Sequence, residues 1–154
     1  MVRLKISIQK APFHIADEQQ MLQAANPHVG AIVSFTGVVR NNLHNNLKEL
    51  FIEHYPGMTE SALRKMAQRA IARWNLDGCT VIHRVGSLLP GEDIVLVITA
   101  SSHRQEAFNA AEFMMDYLKS KAPFWKKEIA LDGAEWVASQ THDEVALDRW
   151  NELG

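Results

Sequence analysis

Between Ser101 and Glu128 the chain reads SSHRQEAFNAAEFMMDYLKSKAPFWKKE, which gathers His103, Arg104, Lys119, Lys121, Lys126 and Lys127 around one helix and its exit. Cationic groups so placed hold anions, and amines among them can move protons or steady developing negative charge. His103 and Arg104 fall at the helix start. Ser102 with Gln105 three residues on has capping-box spacing, and the free N–H groups of that first turn suit a phosphate or a carboxylate. Lys119 falls in the last turn, because Pro123 cannot continue the helix and pushes Ala122 out of the helical region. Lys126 opens the strand that follows. A short proline-controlled corner therefore brings two lysines close, and like-charge repulsion lowers the pKa of at least one amine in such a pair.

Taken singly, these lysines are unremarkable: cations in a last helical turn complement the dipole, and lysines on a strand's open face keep it soluble. Together, Lys119, Lys121, Lys126 and Lys127 make a positive patch in a chain whose formal charge is -2. That combination points to an anionic ligand or partner rather than to general basicity.

The elements that must position them can be read from periodicity. In the helix after His103, Ala107, Ala111, Met114 and Leu118, with Phe108 and Met115 beside them, form a stripe that faces a core. After Pro123, KKEIAL and AEWVAS flank Asp132-Gly133, a pair that favours a two-residue hairpin turn. In that register Ile129 opposes Trp136, so Trp125, Ile129, Leu131 and Trp136 share the face that seeks a core, with Lys126 and Glu128 on the other. Upstream, Arg3 to Gln9 alternates as a half-buried strand, and Asp17 with Gln20 caps a short helix that Pro27 ends. GAIVSFTGVVR at 30–40 reads as a central strand, with Gly37 marking a bulge or a close backbone approach. The asparagine-rich NNLHNNL that follows is expected to be a mobile loop. Glu49–Tyr55 is a strand, and Thr59 caps a helix with Leu63, Met66, Ala67, Ala70, Ile71 and Trp74 on one stripe. Thr80–Leu88 and Asp93–Ala100 are two strands around a Pro90-Gly91 turn, and the second leads straight to His103. Past Trp136 lies an acidic, weakly amphipathic tail carrying Val145, Leu147 and Trp150. Strands and helices mix without strict alternation, so the expected class is α+β, helices on a largely antiparallel sheet with a C-terminal hairpin, in a single domain over 1–154.

Composition narrows the function. With 154 residues, 47% apolar and 22% charged, this is an ordinary globular chain, and near-neutral charge argues against non-specific nucleic-acid binding. The single cysteine, Cys79, allows no internal disulfide and no thiolate metal site, and its place in an apolar strand suits a buried inert thiol. No two of the seven histidines stand three or four apart, so no metal centre is expected. A serine-hydrolase elbow and a glycine-rich phosphate loop are both absent from the sequence. No signal peptide or membrane-length apolar run is present, so a cytoplasmic location is expected, without a membrane partner.

Five segments carry a resemblance: FTGVVR at 35–40, EHYPGM at 53–58, VIHRVG at 81–86, SSHR at 101–104 and MDYLKSKAPFWKKE at 115–128. In order and spacing they resemble the large, catalytic subunit of molybdopterin synthase, from about the first strand to Trp136 and beyond. The resemblance implies an α/β-hammerhead fold and a sulfurtransferase. Its substrate would be cyclic pyranopterin monophosphate, and its sulfur would come from the thiocarboxylate C-terminus of a small ubiquitin-like subunit. It also implies a homodimer at the core of a heterotetramer, and no cofactor. Carried onto this chain, Lys119 and Lys126 are the catalytic pair. Val38, Val39, Arg40, His103, Arg104, Lys127 and Glu128 join them in binding substrate, with His103, Arg104 and Arg40 on its phosphate. Many relatives carry a lysine where Val38 stands, so a direct charge contact there is lost. Two other readings compete: a non-catalytic module whose basic corner captures an acidic peptide tail or anionic small ligand, and an RNA platform built on Phe124 and Trp125.

Overall fold

The computed structural model describes residues 2–137, 146–148 and 150. At its centre lie two strands covered on both faces, β4 (Gly78–Arg84) and β6 (Asp93–Ser101). Strands so placed read as unbroken apolar runs, as VLVITA at 95–100 does. β1 (Arg3–Gln9) joins β4 in parallel, and β2 (Ala31–Val38) joins β6 antiparallel, giving the order β1-β4-β6-β2. Helix α1 (Ile15–Ala25) covers one face, where Leu22 packs with Ile82, Leu96, Ile98 and Ala100. Helices α2 (Met58–Trp74) and α3 (Arg104–Ser120) cover the other, where Leu63, Met66 and Met114 meet Cys79, Val81, Val95 and Val97. Odd-numbered residues of β4 and β6 therefore face α2 and α3, since side chains alternate along a strand. Burial among them pushes the Cys79 thiol up to about 12, in keeping with an inert role.

The second sheet has the order β5-β3-β7-β8, from β3 (Leu47–His54), β5 (Gly86–Leu88), β7 (Phe124–Ala130) and β8 (Gly133–Val137), all antiparallel. The α+β class, the strand over 3–9 and the apolar stripe of α2 are as the sequence implies. Several details differ. The segment 80–88 is two strands, because Gly86 at φ +87° turns the chain from one sheet into the other, a conformation glycine adopts without steric cost. β2, expected to be central, is an edge strand. The hairpin register is shifted by two: Ile129 opposes Ala134 and Lys127 opposes Trp136, so Leu131-Asp132 makes the turn. A shift of two keeps the faces, yet the face bearing Trp125, Leu131 and Trp136 is exposed. Phe124, on the opposite face, supplies the inward anchor by packing against the main core.

Caps differ as well. His14 rather than Asp17 precedes α1, and Asp17 and Glu18 lie in its first turn, where they complement the dipole. The expected Ser102–Gln105 box does not form; His103 is the cap of α3 without a side-chain bond, and Ser102 donates to the His28 carbonyl at 3.3 Å. Phe108 is exposed, because Ala110 and Phe113 take the buried stripe with Ala107 and Met114. The asparagine-rich segment is bonded by its own side chains: Asn42 Oδ1 accepts from the N–H groups of His44 (3.1 Å) and Asn46 (3.0 Å). In the tail, Leu147 and Trp150 are buried, and the Trp150 indole donates to Asp116 at 2.6 Å; Val145 lies outside the described residues.

Thr59, expected as a cap, sits inside α2, whose cap is Gly57. Its buried hydroxyl accepts from the Tyr55 N–H (2.9 Å) and donates to the Pro123 carbonyl (3.0 Å), tying the end of β3 to the corner between α3 and β7. Thr59→Val keeps the shape but leaves both backbone groups unpaired. It should lower stability by about 1–3 kcal/mol, read as a fall in the urea midpoint at unchanged slope; an unchanged midpoint would remove Thr59 from this role.

Candidate active site

Strand register assembles the floor of a cavity. Gly37 pairs with Val95, and Val95 pairs with His83, so the three form one row across β2, β6 and β4 on the side that faces α3. The ladder shifts between Gly37 and Val38, the bulge expected of that glycine. A Cβ on Gly37 would lie 2.6 Å from Val95 Cγ1, so the absent side chain lets Val95 fill the row. Above this floor, α3 supplies Met115, Leu118 and Lys119, and β7 supplies Phe124 and Lys126. Phe35, Val38 and Ile94 complete the lining of a cavity of about 70 Å³. Lys119 and Lys126 thus meet in one mostly apolar recess, as the proline corner predicts.

His83 is the third polar group there. Its ring lies on Phe124, centroids 3.9 Å apart and planes 18° from parallel, and its Nδ1 is 2.8 Å from the Arg84 carbonyl oxygen. A carbonyl only accepts, so Nδ1 carries the proton and Nε2 is the ring's acceptor. Burial first, then the charges of Lys126, Lys119 and His54, lower its pKa from 6.5 to about 3, against the opposing pull of the backbone bond. The imidazole is therefore neutral at pH 7.

The remaining candidates are dispersed. Glu128 shares the Lys126 face of β7, whereas Lys127 points the other way and lies over the Trp136 ring at 5.5 Å. Val39 is buried in the main core, and Arg40 is exposed just past β2. His103 and Arg104 line a separate open cleft with Gly30, Ser102 and Glu106. Arg104 starts α3 and Lys119 ends it, which separates them by about 22 Å along the axis at 1.5 Å per residue. Among the described residues no group of three His, Cys, Asp or Glu side chains is placed to hold a metal, and no helix is long and apolar enough to cross a membrane.

Residues 8–121 match the family model described as MoaE protein. The chain belongs to the MoaE family. A molybdopterin synthase catalytic subunit of Cereibacter sphaeroides is 52% identical over 147 residues, 96% of this chain and 100% of that protein. The MoaE protein of Burkholderia ambifaria has a solved structure that superposes with a TM-score of 0.82 at 46% identity, covering 96% of this chain and 98% of that one. A molybdopterin synthase structure from Staphylococcus aureus aligns with a TM-score of 0.78 at 30% identity over 85% of this chain and 95% of its own. The function is accordingly that of the MoaE family: the catalytic subunit of molybdopterin synthase, an enzyme of sulfur transfer in molybdenum cofactor biosynthesis.

Within this MoaE fold, His83 is the residue that sequence reasoning passed over, although VIHRVG was among the segments carrying the resemblance. The available signal was a lone histidine at an odd position of an apolar strand. Because its folded pKa lies below the ordinary 6.5, only the unfolded chain takes up that proton between about 3 and 6.5. The stability conferred by neutral His83 is thus complete above pH 6.5 and is lost as pH falls toward 3, with a slope of at most about 1.4 kcal/mol per unit. Urea midpoints measured from about pH 7 down to about pH 5 should fall more steeply in the wild type than in His83→Phe. Parallel curves would mean that the imidazole is not buried in neutral form.

Proposed function

We propose that the recess holding Lys119 and Lys126 receives the thiocarboxylate tail of a small ubiquitin-like partner subunit and transfers its sulfur to cyclic pyranopterin monophosphate. The observation that carries this reading is the convergence of two amines on an apolar floor beside a neutral imidazole. Attack on the tail develops negative charge on its carbonyl oxygen or departing sulfur, and cations already held at that point stabilise the charge without reorganising. Lys119, in the last turn of α3, steadies the developing charge or exchanges the proton, and Lys126 shares the task from β7. Glu128 on the Lys126 face, Val38 at the rim, and Arg40, Val39 and Lys127 nearby in the chain are the supporting set. The whole of 1–154 acts as one such unit, in the cytoplasm.

His103 and Arg104 hold the substrate phosphate, Arg104 with a planar fork that pairs two oxygens at once. About 22 Å of helix separates them from Lys119, so in this reading they reach the amine recess from a second copy of the chain. A recess of about 70 Å³ is itself far below the roughly 300–1,000 Å³ usual for small-molecule sites, which is what half of a shared site would offer. A homodimer with one small subunit on each side follows.

Purified protein mixed with the thiocarboxylated small subunit and cyclic pyranopterin monophosphate should yield the dithiolene product. Lys119→Ala should cut turnover by about 100-fold or more while leaving the fold intact. Normal turnover in the folded variant would end the assignment, and tight tail binding without product in the wild type would favour a capture module. Arg104→Ala should act on the substrate concentration needed instead. Copies carrying Lys119→Ala and Arg104→Ala, unfolded and refolded together, should regain about a quarter of wild-type rate at low substrate, because half the dimers are mixed and each keeps one intact site. No recovery would place both residues of each site in one chain.

A further inference from the structure

His83 stands apart from the amine and phosphate groups because the sulfur-transfer scheme above gives its neutral ring no task. Yet it is the one polar side chain of the pocket floor, in the row Gly37–Val95–His83, with both lysines of the recess around the same cavity. Three constraints fix it. The parity of β4 turns it toward α3, the Arg84 carbonyl fixes its tautomer at 2.8 Å, and the Phe124 ring fixes its plane at 3.9 Å. A core histidine needs only partners, but this one is oriented so that one ring nitrogen stays an acceptor in a cavity lined by ammonium groups. Lys126 follows Phe124 by two residues on the same face of β7, about 7 Å along the strand, so its four-carbon stem spans the distance from the stacked ring to the cavity.

We propose that His83 is the positioning residue of the amine pair, its Nε2 accepting a hydrogen bond from the Lys126 ammonium when the recess closes on its ligand and so aiming that amine at the reacting tail. Among the described residues, the charged and titratable groups acting on the ring are Lys119 from α3, Lys126 from β7 and His54 from β3. Adjacent Arg84 turns its guanidinium to the Lys10 and Asp93 carbonyls instead. The three facing groups all oppose a proton on His83, which keeps the acceptor available across the working pH range. The inference rests on the sulfur-transfer reading above for the role of Lys126.

The decisive variant is His83→Phe, which keeps an aromatic ring against Phe124 and removes the acceptor. It should lower kcat about tenfold or more with little change in KM, the pattern of a group that acts in the transition state. An acceptor favours the charged amine, so its loss lowers the lysine pKa. Whichever limb of the pH–rate profile belongs to that lysine should therefore move to lower pH. A rate loss with an unmoved profile would make His83 merely structural, and an unchanged kcat in His83→Phe, beside a wild type that turns over, would overturn the proposal while leaving the sulfur-transfer reading intact. Should His83→Phe not fold, nitrogen NMR of histidine-labelled wild type, bound to the carboxylate form of the small subunit, reads the same point without turnover. Nδ1 should be protonated, Nε2 bare, and the Nε2 resonance should move in Lys126→Ala; a protonated Nε2 or an unmoved resonance overturns it.

Discussion

The bend at Pro123 is what the rest of the site depends on. Proline ends α3 by lacking an N–H, and the chain closes the helix through Lys121 and Ala122 N–H groups that both reach the Tyr117 carbonyl. It then leaves as β7, and only this turn sets a residue of a last helical turn against one at a strand's start. The carbonyl that the bend leaves over is taken by Thr59, a residue of another helix, so the corner is fixed from outside as well as from within. β7 is held in turn along its length by β3, from His54 opposite Phe124 to Leu47 opposite Ala130. Two lysines that would be ordinary on separate elements become a pair because four elements agree on one corner.

The two lysines carry like charge beside Phe35, Ile94, Val95 and Leu118, Lys119 exposed and Lys126 half-buried. A third positive charge in the floor would add to their mutual repulsion, and the burial of His83 in neutral form avoids it. A neutral acceptor adds no charge of its own to the floor. The chemistry of the site therefore follows as much from what the floor withholds as from the amines themselves.

Much of this was legible in the chain. Period-2 alternation marked β1, the 3.6-residue stripe marked α2, and proline chemistry marked the end of α3, because those signals are local. Lys119 and Lys126 were legible for the same reason: they stand only seven positions apart in sequence. What failed was non-local. That β2 is an edge strand depends on which strands flank β6, and no residue of β2 encodes it. The hairpin face was assigned by putting Trp125 and Trp136 inward, but a single Phe124, packed on His83, outweighs both indoles and leaves them exposed. His83 was invisible because its meaning depends on strand parity and on α3, not α1, covering that face. The Ser102–Gln105 spacing failed differently, since Ser102 found a backbone carbonyl at His28, far away in sequence.

The positions of the two clefts make a further argument about assembly. They lie at opposite ends of α3, and a straight helix of 17 residues cannot bring its own ends together. A two-fold axis across such a helix runs a second copy antiparallel to the first, so each N-terminus meets the other copy's C-terminus, twice, by one symmetry operation. Exposed apolar side chains stand on α3 and on the strand it packs against: Phe108 on α3, and Phe35 and Val38 on β2. In the proposed two-fold arrangement Val38, half exposed at the end of β2, would stand at the seam between copies. An apolar residue at such a seam adds buried area rather than charge, and in the proposed site the phosphate then falls to His103 and Arg104.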